Sequence, residues 1–395
     1  MPYFSDRVIA GVPDATELYY NIQVKNNNTG FDSSGNPIGI SSSTPLIFDE
    51  TRSAPYINNP SDYYMSVISY QIDTASLPVF VCEPVVGGND ISKTYYWVTI
   101  TDASNNINGH TQVLWAPQDL SAPLPPTPVP NNYSSYPYYY CYSFSYFIEL
   151  VNKAIASIYP HRNPPFLVID NNNQISIKGM ANRFITDVNG ECVGTGGLPN
   201  PNGHKLFFNT ELYYLFSSLN ALNHPDPVNG LNNSNFQILF PFNPSGLNIE
   251  TIYTDLTAVP ITSGPSYRAI VSQCEYSPLP FWNPIDSLQF VTYYLTVVQE
   301  LFGTNSTFYD NTSIADQYYI LTDFTPRLVN GTETQPNIIY EPLAEYKLCD
   351  LYGIQPLQQL KFNVVVKDKF GGTRQMTIES GGVASIKLLF RKKNI

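Results

Sequence analysis

Short segments of β-branched and aromatic residues recur along almost the whole chain, and turn-forming residues separate them. Gly, Pro, Asn and Asp bound these segments, which is the pattern typical of β-strands. The segments are 16–26, 62–73, 77–82, 93–101, 235–242, 266–276, 288–298, 316–324, 360–368, 374–380 and 383–390. Because so many short strands occur with few helical segments between them, the pattern predicts an all-β fold, an antiparallel β-sandwich.

The last segment, 383–390, alternates most clearly between the two faces of a strand. One face carries Ala384, Ile386, Leu388 and Phe390, and the other carries Ser385, Lys387, Leu389 and Arg391. A shift of the strand pairing by one residue would bury Lys387 and Arg391, so the sequence specifies the register. We expect this strand to pair inside the sandwich.

The middle of the chain follows a different pattern. Residues 121–137 (SAPLPPTPVPNNYSSYP) are rich in Pro, which cannot donate hydrogen bonds to a sheet, and they predict an extended linker. Apolar residues at helical spacing predict helices in 147–159 and 209–219. Between these helices, 166–170 and 174–179 predict a β-hairpin around an Asn-rich turn.

These patterns predict that a mixed α/β module is inserted into the sandwich. The module is expected at 121–260 and begins with the Pro-rich linker. The flanking parts of the chain, 1–120 and 261–395, are expected to build the sandwich together. The predicted fold class is therefore an all-β sandwich with an inserted, mixed α/β module.

Charge and composition narrow the class of protein. The net charge of −12 argues against a surface that coats nucleic acid. Charged residues are only 13% of the 395 residues, against ~25% in typical soluble domains, and the chain has 30 Tyr. This composition fits a surface largely covered by protein partners, and it equally fits Tyr residues on ordinary sheets.

Neither a signal peptide nor a membrane span is expected. The start, MPYFSDRVIAGVPDAT, has no apolar segment of the kind that a signal peptide requires. No run of 18 apolar residues occurs anywhere in the sequence.

The cysteines do not form the pattern of a disulfide framework or a zinc site. They are odd in number, widely scattered and without a CxxC pair. The five are Cys82, Cys141, Cys192, Cys274 and Cys349. We expect free, buried thiols in a reducing compartment.

Motifs for catalysis or cofactor binding are missing from the sequence. It contains no HExxH, no phosphate-binding GxxxxGK[ST] and no GxSxG. The Gly-rich segment 193–203 does not lead from a strand into a helix, and we expect a surface loop. The segment 170–179 (DNNNQISIKG) lacks the Gly and Glu of a calcium loop and predicts a hairpin turn.

The remaining titratable residues give no catalytic pattern. Four histidines lie in turn-rich segments and are expected to be solvated loop residues: His110, His161, His204 and His224. Glu341 and Glu345 form a close pair without a neighbouring His, so a solvated surface pair is expected. The sequence therefore predicts no enzyme, no catalytic residue, no cofactor and no metal ligand.

The ending LKFNVVVKDKFGGTRQMTIESGGVASIKLLFRKK resembles the terminal strands of jelly-roll capsid proteins of small double-stranded DNA viruses. The likeness is to the penton (minor capsid) proteins of virophages and Polinton-like viruses. The segments PSDYYMSVISYQIDTASLPVF and YYYCYSFSYFIELVNKA add to it, as does the order of sheet, inserted module and sheet. The resemblance implies a jelly-roll sandwich in a protein of an icosahedral capsid.

For function, the resemblance implies a penton subunit that forms homo-pentamers at the capsid vertices of the virion. Its partners would be the major capsid protein and other capsid proteins, and the inserted module could meet a host surface receptor. We expect synthesis in the host cell without a signal peptide. Two alternatives stay open, a major capsid protein of the double jelly-roll type and a spike β-sandwich that binds a receptor or glycan.

The last strand is followed directly by a basic cluster, Arg391, Lys392 and Lys393. On an acidic protein this cluster is either a solvated tail that keeps an edge strand from aggregating or an electrostatic contact. Such a contact would face the particle interior, toward genome phosphates or an acidic patch on a capsid partner. Any contact with nucleic acid is expected only through this cluster.

Overall fold

The chain forms two compact units. The base unit lies within residues 1–77, 284–327 and 334–395, and the inserted unit lies within 78–283 and 328–333. A computed structural model describes residues 16–26, 44–74, 76–120, 122–126, 136–170, 173–225, 231, 234–243, 248–253, 266–292, 294–295, 297, 319–326, 337–340, 347–369 and 372–393.

Strands dominate the described residues, and helices are few. The strands are β1 (Glu17–Lys25), β2 (Thr44–Pro45), β3 (Ile47–Thr51), β4 (Tyr63–Asp73), β5 (Phe80–Val81), β6 (Lys93–Asp102), β7 (Ile107–Leu114), β8 (Tyr140–Cys141), β9 (Phe166–Ile169), β10 (Ile175–Met180), β11 (His204–Phe208), β12 (Ala221–Asn223), β13 (Phe236–Ile238), β14 (Ile249–Tyr253), β15 (Ser266–Gln273), β16 (Ile285–Thr292), β17 (Tyr319–Phe324), β18 (Asn337–Tyr340), β19 (Cys349–Asp350), β20 (Gln359–Asp368), β21 (Thr373–Gln375), β22 (Thr377–Ile378) and β23 (Val383–Lys392). The α-helices are α1 (Phe144–Ile158), α2 (Ala181–Phe184), α3 (Thr210–Leu215) and α4 (Leu279–Trp282), and short 3₁₀ turns occur at Pro60–Asp62 and Pro137–Tyr139. Both predicted helices are confirmed, as α1 and as the shorter α3.

Two antiparallel sheets form the base unit. The first has the strand order β1-β23-β4-β18, with β19 also paired to β4. The second has the order β17-β16-β20-β21, with β3 also paired to β20, and the short strands β2 and β22 pair with each other. Rings from the two sheets meet between them, since the ring centroid of Tyr70 lies 5.0 Å from that of Phe290 and 4.4 Å from that of Phe324. The base unit is a jelly-roll β-sandwich, as the sequence predicts.

The terminal strand β23 lies between β1 and β4. Ile386 at its centre pairs with Ile22 of β1 and with Tyr70 of β4. The residues of the predicted inner face are at most 1% exposed, which confirms that face: Ala384, Ile386, Leu388 and Phe390. Leu389 of the predicted outer face is also buried, and the pairing with β4 shifts register between Lys387 and Leu388.

The inserted unit has its own apolar core around helix α1. Its sheets have the orders β14-β15-β10-β9 and β12-β13-β11-β6-β7, and β5 pairs with β8. Phe147, Val151 and Ile155 recur at helical spacing on α1 and are fully buried. Trp282 donates its Nε1 hydrogen to the Leu215 carbonyl at 2.7 Å. Its indole lies within 6 Å of four other rings, those of Phe80, Phe144, Phe147 and Phe216.

Helix α1 is fixed to both large sheets of the inserted unit. At Gly109 of β7, an added Cβ would lie 2.5 Å from the Cβ of Ile158, so only Gly permits this approach. Asn152 holds β9, because its Nδ2 donates to the Leu167 carbonyl at 2.9 Å and its Oδ1 accepts from the Leu167 N–H at 2.7 Å. The helix therefore positions the two sheets within this unit.

Three hairpin turns of the inserted unit are closed by an Asp side chain in the same way. The Oδ1 atoms of Asp102, Asp170 and Asp187 accept the N–H four residues on, at 2.9, 2.9 and 2.8 Å. The residues three positions after each Asp have positive φ, as this turn requires: Asn105, Asn173 and Gly190. The hairpin turn predicted at 170–179 is confirmed.

The division into units differs from the expected domain boundaries. From the sequence pattern, 93–101 and 266–276 are expected in the sandwich. In the structure β6 pairs with β11 and β15 pairs with β10, so both strands lie in the inserted unit. The units meet along the chain at 77/78 and 283/284 rather than at 120/121 and 260/261. Most of the Pro-rich segment 121–137 lies outside the described residues.

We expect Leu388→Asp to unfold the base unit, because the change places an unpaired carboxylate at a fully buried position of β23. The cost should be about 3 kcal/mol or more. Thermal unfolding followed by circular dichroism measures it. Lys387→Asp, at an exposed position of the same strand, is the matched control and should change the midpoint little. A Leu388→Asp protein as stable as this control would show that β23 is not part of the core.

Candidate functional site

The C-terminal basic cluster is bound to partners within the base unit. Nε of Arg391 lies 3.0 Å from Oε1 of Glu17, its opposite residue on strand β1. The N–H of Lys392 donates to the Thr16 carbonyl at 2.8 Å. Both residues belong to β23 itself and extend its pairing.

Lys393 makes the most contacts of the three. Its Nζ donates to the Ser61 carbonyl at 2.6 Å and to the Leu351 carbonyl at 3.0 Å, and it pairs with the carboxylate of Asp350. The same Nζ lies 5.2 Å from the ring centroid of Tyr64, a cation–π distance. The side chain is only 16% exposed. Lys393 therefore ties the end of β23 to two other segments of the base unit.

These contacts correct the expectation of a tail that protects an edge strand. β23 has β1 on one side and β4 on the other, so it is not an edge strand. Arg391 and Lys393 are each paired with a carboxylate, which compensates their charge. Sequence reasoning missed these partners because Glu17 and Asp350 are distant along the chain.

Two of the four histidines lie in strands and not in the solvated loops that were expected. His204 is the first residue of β11 and is 5% exposed, and His110 lies in β7. Nδ1 of His110 lies 2.7 Å from Oγ1 of Thr99, and its ring stacks on Trp97 with centroids 4.5 Å apart. Burial lowers the pKa of His110.

His161 and His204 come together although they are distant in sequence. Their ring centroids are 5.1 Å apart, and the ring of Tyr159 lies 5.6 Å from His161 and 5.4 Å from His204. Nδ1 of His204 lies 3.0 Å from Nδ2 of Asn108. Within the described part of the chain, no group of three or more His, Cys, Asp or Glu residues is placed to hold a metal ion. We define Tyr159, His161 and His204 as the histidine cluster.

His224 and Lys205 also have partners inside the inserted unit. Nε2 of His224 lies 3.0 Å from Oε1 of Gln237. Lys205 of β11 is 3% exposed, and its Nζ lies 3.1 Å from Oε2 of Glu191. A buried ammonium needs such a partner, because its desolvation is otherwise uncompensated. The pair therefore fixes the turn at Glu191 to β11.

The five cysteines are free and buried, as predicted: Cys82, Cys141, Cys192, Cys274 and Cys349. Burial raises the pKa of Cys192 and of Cys274 to about 11, and it raises the pKa of Cys82 well above its ordinary value. Thiols that stay protonated at neutral pH are weak nucleophiles. These side chains fit a packing role.

The Gly-rich segment 193–203 forms a loop, as predicted. A bridge joins Val193 to Pro199, and Gly197 has a φ of 76°. Glu341 and Glu345 lie outside the described residues, so their assignment as a solvated pair stays a prediction. In the described helices, none combines the length and apolar character needed to cross a membrane.

Large apolar side chains are exposed on both units. Among the described residues of the base unit they are Tyr19, Tyr294, Ile339, Tyr352 and Ile354. On the inserted unit, those at least half exposed are Leu114, Leu120, Leu124, Val188, Leu198, Tyr214, Tyr276 and Phe281. The rings of Tyr276 and Phe281 have centroids 6.4 Å apart. Neighbouring exposed aromatics of this kind are typical of contact surfaces.

Two proteins of Sputnik virophage are similar to this chain in sequence. The one named structural protein V19 is 31% identical over 137 residues, which are 34% of this chain and 61% of that protein. The one named uncharacterized protein V18 is 30% identical over 156 residues, which are 38% of this chain and 85% of that protein. The chain thus spans about three fifths of the length of V19.

Two solved structures share the fold of this chain. A chain in the cryo-EM structure of Sputnik virophage has a TM-score of 0.72 and 24% identity, and the match covers 96% of this chain and 99% of that chain. The crystal structure of the mavirus penton protein has a TM-score of 0.58 and 16% identity, and the match covers 96% of this chain and 100% of that chain. These matches show that the chain shares its fold with a chain of the Sputnik virophage structure and with the mavirus penton protein.

Family membership follows from the sequence profile, because the profile spans both units. The profile of the family described as Sputnik minor capsid protein V18/19 matches residues 18–392. The match includes all of the terminal strand β23 and all of β1 except Glu17. The chain belongs to the Sputnik minor capsid protein V18/19 family.

Proposed function

We propose that the chain is a structural protein of a viral capsid and serves as the penton subunit, forming homo-pentamers at the icosahedral vertices. The fold shared with the mavirus penton protein carries this proposal, because it covers 96% of this chain and 100% of that one. The match is therefore too long to involve the base unit alone. The double jelly-roll alternative is less well supported, because the inserted unit is organised around helix α1 rather than as a second sandwich.

A ring of five identical subunits requires two different surface patches on each subunit. β1 and β18 end the strand order of the first sheet on opposite sides, among the described strands. Tyr19 on β1 is 52% exposed, and Ile339 on β18 is 66% exposed. These two edges supply different exposed apolar side chains, as a head-to-tail contact between neighbouring base units needs.

In this proposal the partners of the pentamer are the major capsid protein and other capsid proteins around the vertex. The low charged fraction of 13% suits large contact areas, since charged residues are depleted from the centres of protein interfaces. A structural role in the virion also agrees with the absence of catalytic motifs from the sequence. The subunit would act by assembly rather than by catalysis.

For the inserted unit we propose a role in contact with the host surface. Tyr214, Tyr276 and Phe281 support it, because each is at least half exposed and the last two are neighbours. Aromatic side chains bind through large areas at a small cost in conformational entropy. Binding of a receptor or glycan, the function of the spike alternative, would then be carried out by the inserted unit of the penton.

The oligomeric state tests the penton assignment. We expect the purified chain to form a particle of about 220 kDa, five times the 44.3 kDa of one chain. Mass photometry, with class averages from negative-stain images, measures the mass and the symmetry. A stable monomer or trimer that binds glycans would favour the spike alternative.

Matched variants show whether the sheet edges form the contact. Ile339→Lys and Tyr19→Lys should each lower the fraction of pentamer, because a charge replaces an apolar contact in the interface. Val188→Lys changes an exposed side chain of the inserted unit and should leave the fraction unchanged. Pentamers that persist in both edge variants would place the contact elsewhere on the base unit.

Deletion variants test the proposed organisation into base and inserted units. Replacing 78–283 with a Gly/Ser linker of about ten residues should leave a folded base unit, because each unit has its own core. Deleting 121–260 is the matched control. It leaves β6 without β11 and β15 without β10, so this protein should aggregate. If circular dichroism shows no β-sheet after the first deletion, the base unit depends on the inserted unit to fold.

Variants of the basic cluster distinguish a structural role of Lys393 from an electrostatic contact with other molecules. Lys393→Met should lower the free energy of unfolding by about 1–3 kcal/mol, because three oxygen acceptors lose their charged donor. Urea unfolding measures the change, and Lys387→Met on the exposed side of β23 is the control. If Lys393→Met is as stable as the control but enters particles poorly, an electrostatic contact with the genome or with a capsid partner explains the cluster better.

A further inference from the structure

The histidine cluster joins three segments of the inserted unit. Tyr159 follows the end of α1, His161 lies in the connection to β9, and His204 begins β11. The three ring centroids lie between 5.1 and 5.6 Å from one another. His161 is exposed, whereas Tyr159 and His204 are 7% and 5% exposed. The rings therefore pack the connection at 160–165 against β11.

The polar atoms of this cluster are poorly satisfied. Nδ1 of His204 lies 3.0 Å from Nδ2 of Asn108, whereas its Nε2 is buried without a hydrogen-bond partner among the described residues. The hydroxyl of Tyr159 is buried without a partner within the same set of residues. A neutral imidazole tolerates such a site better than a charged one, because desolvation penalises the cation most.

The environment of His204 disfavours a positive charge on its ring. Burial is the largest cause that lowers the pKa of His204. The neighbouring His161 and Arg183 also lower it. The backbone of Thr101 and the carboxylate of Asp102 act in the opposite direction. The Asp102 carboxylate, however, already accepts hydrogen bonds from Ser104 and Asn106 in its own turn.

Two titratable residues, Arg183 and Tyr267, influence the third member of the cluster, Tyr159. Burial raises the pKa of Tyr159 to about 12, with opposite smaller effects of Arg183 and Tyr267. Its hydroxyl therefore stays neutral at physiological pH and cannot compensate an imidazolium. The site therefore favours an uncharged His204.

We propose that His161 and His204 form an acid-sensitive latch in the inserted unit. Above neutral pH the uncharged ring of His204 packs with the rings of His161 and Tyr159 and holds the 160–165 connection on β11. In acid, a proton on the buried His204 ring places a positive charge beside His161 and Arg183, and the connection moves away from the strand. The device lies within the inserted unit, so it does not depend on the assembly of pentamers.

The direction of the pH effect follows from the proton balance. His204 has a pKa below its ordinary 6.5 while it is buried, and it regains that value when the latch opens. Opening therefore takes up a proton at pH values between the lowered pKa of the buried His204 and 6.5, and it is independent of pH well above 6.5. The proton that His204 gains raises the opening constant by up to about tenfold per pH unit within this window.

Hydrogen exchange of the full-length chain, read by mass spectrometry, tests the latch. After correction for the intrinsic exchange rate, the amides of Tyr159, His161, Arg162 and Asn163 and those of 204–208 should open up to about fivefold more at pH 5.5 than at pH 6.5. His204→Phe keeps a ring of similar shape and should abolish most of this difference. His224→Gln is the control and should respond as the wild type does. Peptides from 107–114 report separately on His110.

A wild-type chain whose corrected exchange in these two segments is the same at both pH values would overturn the latch. So would a His204→Phe protein that keeps the full acid response. If His204→Phe does not fold, His161→Gln changes an exposed residue and replaces it. This variant should lose at least part of the response, and an unchanged response would equally reject the proposal.

Discussion

The pairing of β23 with β1 and β4 is the interaction on which the base unit depends. It joins the first and last described strands of the chain, with Ile22, Ile386 and Tyr70 in one row of the sheet. The inner face of β23 is almost completely buried, so its loss would open the core as well as the sheet. The bonds of Lys393 to Ser61 and Leu351 extend this closure beyond the strand end. Because this pairing closes a long loop of chain, it costs more loop-closure entropy than a local hairpin does.

The pairing of β23 with β1 and β4 also explains why the inserted unit interrupts the base unit. The base unit is completed only by segments on both sides of 78–283, whereas the inserted unit is one nearly continuous stretch with its own core. This arrangement separates two tasks. The base unit can keep the geometry that a closed ring requires, while the surface of the inserted unit can vary without changing that geometry. A penton needs both properties if it contacts capsid neighbours and a host.

Local patterns in the sequence predicted most strands and helices, but they did not predict which strands pair with one another. Alternation in 383–390, helical spacing in α1 and the hairpin turn in 170–179 each depend on neighbouring residues, and the structure confirms them. The assignment of β6 and β15 depended on distant strands, which no local pattern identifies. His204 was missed for the same reason, although the apolar LFF that follows Lys205 could have placed it at the start of a strand. The partners of Arg391 and Lys393 are also distant along the chain, so the sequence alone did not show that these two charges are paired.

A penton subunit of this kind would lie at the vertices of an icosahedral particle, held there by its jelly-roll base unit. A cryo-EM reconstruction of assembled particles, focused on the vertices with five-fold averaging, shows which protein lies there. We expect vertex density that fits five copies of the base unit, with β23 resolved between β1 and β4. Vertex density that fits a different protein, with this chain located elsewhere in the shell or missing from it, would show that the chain is not the penton subunit.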